Sequence, residues 1–185
     1  RESLTLLQLL GRLRSIPQFG RFTCVVCLFS FSMFLSEAIL EPYGAAVFGM
    51  SICVTTALNA FLALGFFVGL GLSGFLLVDW IGNVRTAQIG SVFASISLIL
   101  MLLSASWQSL GSFYFGLILF GISLGVCIHA SFILMFNFVE PGRVGLLLGI
   151  WTGLYAYSCG IATISGGSLL TLFKNLNGGD VFGAY

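Results

Sequence analysis

The chain has 185 residues, 58% of them hydrophobic and 7% charged, with a net charge of +1. A soluble domain carries about 25% charged residues. A mean hydropathy of +1.11 therefore excludes a water-facing globule and points to a chain integral to a membrane. No basic stripe of the kind that phosphate binding needs is present, so nucleic acid is not an expected partner.

The chain opens on Arg1 without a signal-peptide pattern and closes on the interrupted stretch "VFGAY", so a piece of a longer protein is expected. Residues 1–21 are expected to form an amphipathic segment on the membrane surface. There "LTLLQLLGRLRSIPQFGR" pairs leucines with Arg12, Arg14 and Arg21, and Pro17 breaks the pattern before the first span. A bilayer is crossed by about 20 apolar residues in helix. Five stretches qualify: 22–40, 55–78, 87–106, 112–136 and 144–173. The expected organisation is a surface segment at 1–21, a transmembrane bundle at 22–173 and a short tail at 174–185.

Orientation follows from the arginines. With alternating spans, Arg1, Arg12, Arg14, Arg21, Arg85 and Arg143 fall on one side and only Lys174 on the other. The positive-inside rule places the N-terminus on the cytoplasmic or stromal side. The stretch from Glu41 to Val54 is then expected as a loop facing the opposite compartment. Gly65 with Gly69, Gly121 with Gly125, and Gly145, Gly149 and Gly153 recur at helical spacing, a pattern that lets helix backbones approach closely. Cys24 and Cys27 have redox-motif spacing, but their hydrophobic helical context reads as small apolar filler.

The first span carries Glu37 and Glu41 one helical turn apart, followed by Pro42. Residues i and i+4 share a helix face, so the two carboxylates project together and repel. The residue before proline disfavours helix, so Pro42 is expected to end the span, with Glu37 one turn inside it. A carboxylate near the middle of a span costs roughly 2.5–3.5 kcal/mol on insertion scales. A proton relay, a cation site or a ligand to a metal-centred pigment would each use such a pair; so would plain exposure to interfacial water. His129, the single histidine, lies within the fourth span in "GVCIHASF". It is either a functional site by default or a hydrogen-bonding contact to a neighbouring helix.

Between spans two and three, "GFLLVDWIGNVRT" places Gly74, Asp79, Gly82 and Arg85 in partial match to G-x-x-x-D-R-x-G-R-R. That loop resembles the signature of the major facilitator superfamily, with Trp80 and Asn83 where basic residues stand. The segment "EAILEPYGAAVFGMSICVTTALNA", residues 37–60, is more specific. With "GLLLGIWTGLYAYSCGIA", residues 145–162, it resembles the PucC-like, or bacteriochlorophyll delivery, family of that superfamily. Thr152 beside Trp151 departs from the small residue expected there.

The resemblance implies an all-α, major-facilitator-like bundle of about five transmembrane helices, matching helices 7–11 of twelve. It also implies chlorophyll or bacteriochlorophyll handling, with a carotenoid as a further ligand. The implied partners are the lipid bilayer and photosystem or light-harvesting subunits, in a thylakoid or bacterial inner membrane. Magnesium of a chlorophyll takes one axial ligand, for which Glu37, Glu41, His129, Asn59 and Asn137 are the candidates. The alternative is a proton-coupled solute transporter of the same superfamily. An enzyme is not expected, because no nucleophile–base–orienter set, phosphate loop or metal cluster is legible.

Overall fold

The structure, a computed structural model, describes residues 17–136 and 144–176, which are helical apart from short turns. Helix α1 spans Pro17–Phe48 and α2 spans Ile52–Leu72. A π-helical turn, Ser73–Leu77, joins α2 to the short α3, Val78–Ile81. Then come α4, Asn83–Ser106, α5, Leu110–Phe136, and α6, Val144–Leu176. Residues 1–16 of the expected surface segment, residues 177–185 of the expected tail, and the 137–143 connection with Asn137 and Arg143 lie outside the described residues.

Among the described residues four helical stretches are long and apolar enough to cross a membrane: Gly20–Phe48, Ile52–Ile81, Asn83–Ser106 and Leu110–Phe136. They match the first four expected spans with longer ends. The fifth expected span is a continuous helix of 33 residues.

The clearest departure from the sequence expectation concerns Pro42, which lies inside α1 rather than ending it. A membrane helix tolerates proline because neighbouring helices and local adjustments re-satisfy the freed backbone groups. The expected loop at 41–54 shrinks to a turn around Gly49, whose φ is +61°. Val54 and Thr55 there donate their N–H groups to the Ser51 carbonyl. At the other face Gly82 alone separates α3 from α4 with φ +81°, a conformation that costs glycine little and other residues much.

Helix α5 is the centre of the bundle, packed against α2 on one side and α4 on the other, while α1 pairs chiefly with α6. Half of the α5 span is buried inside the protein, against 17–28% for the other three. The α2–α5 contact is a glycine seam. A Cβ on Gly65 or Gly69 would collide with backbone at Ile118 to Ile122, and one on Gly121 or Gly125 with backbone at Leu62 to Leu70. The two Gly-x-x-x-Gly pairs therefore face one another, as small residues do where helix backbones pack closely in lipid. Gly145, Gly149 and Gly153 meet nothing within 4 Å among the described residues.

Candidate functional site

Because α1 runs through to Phe48, the two glutamates sit deeper than the sequence suggests. Glu37 precedes the helix end by 11 residues and Glu41 by seven, or about 17 Å and 10 Å at 1.5 Å per residue. Both lie within a helical stretch that qualifies as a span, not at its edge. Their placement must therefore be offset by partners or by use.

Glu41 has a partner. Asn59 of α2 donates from Nδ2 to Glu41 Oε1 at 2.7 Å, while the Asn59 Oδ1 is buried without a partner among the described residues. The next residues of the motif continue the same clasp. The Tyr43 hydroxyl donates to the Met101 carbonyl of α4 at 3.0 Å. Its ring stacks on Phe113 of α5 with centroids 5.9 Å apart. Gly44 is buried against Leu58 and Met50, where a Cβ would come within 3.1 Å and 3.3 Å. The Glu-Pro-Tyr-Gly segment thus ties α1 to α2, α4 and α5 at one end of the bundle.

Glu37 is different. It is half-buried and has no hydrogen-bond partner among the described residues. It lines an apolar cavity of about 210 Å³ with Ser36, Leu40, Tyr43, Leu62 and Met101. A second groove of about 360 Å³, running between α1 and α4 toward Val25, shares Leu98 and Phe120 with the first. Glu37 is the single carboxylate lining either of the two, and Ser32, Ser91 and Ser95 add hydroxyls to the second.

The remaining candidates do not join this cluster. His129 lies toward the opposite end of α5, where its Nδ1 is 3.0 Å from the Ser73 hydroxyl in the π-helical turn. Sequence reading missed Ser73. Its signal is the buried stripe Leu58, Leu62, Gly65, Gly69 on α2, which Ser73 extends by one more turn. Also missed was an aromatic ladder. Phe34 packs edge-on to Tyr155 at 4.8 Å, Tyr155 stacks on Trp151 at 5.5 Å, and Trp151 meets Phe132 at 5.4 Å. It links α1, α6 and α5 and starts one turn from Glu37.

Of the loop signature, Gly74 belongs to the π-helical turn, Gly82 makes the chain reversal, and Asp79 and Arg85 are exposed. The expected neighbour of Asp79 near Arg143 lies outside the described residues. All five cysteines are free, with Cys24 exposed on α1. No group of three or more His, Cys, Asp or Glu suited to a metal ion occurs among the described residues. A metal-centred macrocycle needs only one protein ligand, which Glu37, Glu41 or His129 could each supply.

The chain is 30% identical over 151 residues to Protein PucC of Rhodovulum sulfidophilum, covering 82% of this chain and 33% of that protein. It is 26% identical over 188 residues to Protein PucC of Rhodobacter capsulatus, covering 100% of this chain and 41% of that protein. It is 29% identical over 175 residues to the Bacteriochlorophyll synthase 44.5 kDa chain of Rhodobacter capsulatus, covering 90% and 41%. The chain thus spans between 33% and 41% of the length of these curated relatives. No solved structure matches it. The family model described as PUCC protein matches residues 1–185, and this all-helical membrane chain belongs to the PUCC family.

Proposed function

We propose that the chain is part of a membrane protein that handles chlorophyll or bacteriochlorophyll, serving assembly or pigment supply of light-harvesting or photosystem complexes rather than catalysing a reaction. The observation that carries the reading is Glu37. It is a carboxylate about 17 Å from the end of a membrane helix, without a hydrogen-bond partner among the described residues, lining an apolar cavity. A polar solute would leave the cavity's apolar walls unmatched, whereas a pigment presents a greasy ring edge and tail with one metal that takes an oxygen or nitrogen ligand. The cavity of about 210 Å³ lies below the roughly 300–1,000 Å³ of a whole small-molecule site. It would hold an edge or tail segment, with the ring lying against its open side.

The printed names of the relatives, PucC and Bacteriochlorophyll synthase, support the pigment class. The partly matched Gly74, Asp79, Gly82 and Arg85 loop supports a major-facilitator-like arrangement. The arginine asymmetry supports a cytoplasmic or stromal N-terminus in a photosynthetic membrane. Glu41 holds Asn59 in this reading, and Glu37 is the ligand.

The test is to purify the full-length protein in mild detergent, record its absorption from the blue to the near infrared, and extract and count pigment. A chlorophyll-type band at stoichiometric level, lost in Glu37→Ala without loss of fold, is expected. A folded, colourless wild-type protein that takes up no added pigment overturns the reading and favours a proton-coupled transporter using the same carboxylate.

A further inference from the structure

We propose that the groove between α1 and α4 is the seat of a further membrane-spanning helix of the same polypeptide, from outside these 185 residues, running antiparallel to α1.

The described helices pack in two matching pairs. Helix α2 lies along α5, and the two run in the same direction. An added Cβ on Gly65 meets the backbone at Ile118, and one on Gly69 meets it at Ile122. Helix α6 lies along α1, also in the same direction. Phe34 packs on Tyr155, and further along both helices Gly166 lies against Ala38 and Leu35. Exchanging α1 with α5 and α2 with α6 therefore maps one pair onto the other.

Helix α5 has a second flank, and α4 covers it in the opposite direction. Gly90 of α4 abuts Cys127 and Ser123 of α5, while Gly116 of α5 abuts Met101 and Ser97 of α4. The same exchange calls for an antiparallel helix on the second flank of α1. Among the described residues no helix fills that place.

What lies there is the groove of about 360 Å³, whose walls include Val25, Leu28 and Ser32 of α1, Ser91 and Ser95 of α4, and Leu124 of α5. Val25 and Leu28 are 63% and 62% exposed. The three hydroxyls are spent inside their own helices. Ser32 donates to the Leu28 carbonyl, Ser91 to that of Ala87 and Ser95 to that of Ser91, at 2.9–3.1 Å. The walls therefore ask for no polar partner, and the small side chains on the α4 side let another backbone come close.

The occupant follows from length and direction. The chain spans 33% to 41% of its curated relatives, so more than half of a protein of their size lies outside it. A span that follows α6 in an alternating chain runs opposite to α6, and so opposite to α1, as the place requires. A lipid or pigment tail would fill the apolar volume but would leave the repeated pairing without its fourth contact. This inference does not depend on the pigment reading.

The test uses the full-length protein in membranes. Photoreactive benzoylphenylalanine is placed at position 95, and the irradiated protein is digested and read by mass spectrometry. The expected cross-link joins that position to a segment of the same polypeptide outside residues 1–185. In parallel, nitroxide labels on Val25→Cys, Leu28→Cys and Phe67→Cys, with the native cysteines replaced, report collisions with oxygen dissolved in the lipid. The label at position 67, where the side chain is 69% exposed, should collide freely, and the two α1 labels should lose most of that accessibility. Both results should persist in Glu37→Ala, so a failure of the pigment reading leaves them untouched. Accessibility at both α1 positions equal to that at position 67 overturns the proposal. So does a cross-link confined to lipid, to pigment, or to residues 1–185 of the same or a second copy.

Discussion

The pair Glu41 and Asn59 offers the sharpest energetic test of how the bundle tolerates a carboxylate. Their bond is short, 2.7 Å from Asn59 Nδ2 to Glu41 Oε1, in the range of charge-assisted bonds. Removing one partner strands the other. Asn59→Leu leaves a carboxylate in the span without its donor, and Glu41→Leu leaves an amide whose Oδ1 already lacks a partner. Each single change should cost about 2–3 kcal/mol, the penalty of a buried polar group left unmade. The double change to leucine removes both groups and should fall within about 1 kcal/mol of the wild type, since paired apolar replacement is often nearly neutral. Hydrogen bonds between membrane helices reach about 1.7 kcal/mol at most in one system, so the direct bond explains only part of the coupling. The assay is a double-mutant cycle on reversible unfolding of the full-length protein in mixed detergent micelles. Additivity of the two single changes within about 0.3–0.5 kcal/mol would refute the pairing and return Glu41 to interfacial water.

Three other outcomes are expected. Gly69→Leu should prevent close packing of α2 on α5 and sharply lower the folded yield, whereas Gly149→Leu, at a position where an added Cβ meets nothing within 4 Å among the described residues, should leave the unfolding midpoint unchanged; equal losses would contradict the seam. Tyr43→Phe keeps the stack on Phe113 and loses the hydroxyl with its bond to the Met101 carbonyl, so it should lower stability by about 0.5–1.5 kcal/mol, read from the same unfolding curves. Asp79→Ala should reduce folded yield or complex assembly while leaving pigment per folded protein unchanged; loss of pigment at normal yield would argue for a role in binding instead.

The sequence by itself determined the medium and the broad architecture. A chain with 7% charged residues has too few polar side chains to face water, and runs of apolar residues longer than a bilayer form helices because lipid offers the backbone no hydrogen bonds. The glycine spacing also announced close packing, and the Glu-Pro-Tyr-Gly segment carried the family. Which glycine pairs met one another was decided only in three dimensions, because spacing alone gives each helix a groove without naming what fills it. Pro42 was misread for a related reason. Its local preference argues for an end to the helix, but the tertiary contacts of Glu41, Tyr43 and Gly44 hold α1 continuous to Phe48. That continuity moved the glutamates from the membrane edge into the span. Likewise His129 was visible in the sequence, but Ser73 lies 56 residues away and only the packing of α5 on α2 across the π-helical turn brings the two together. Periodicity records which face of a helix is buried; the partner of each buried polar group is set by contacts distant along the chain.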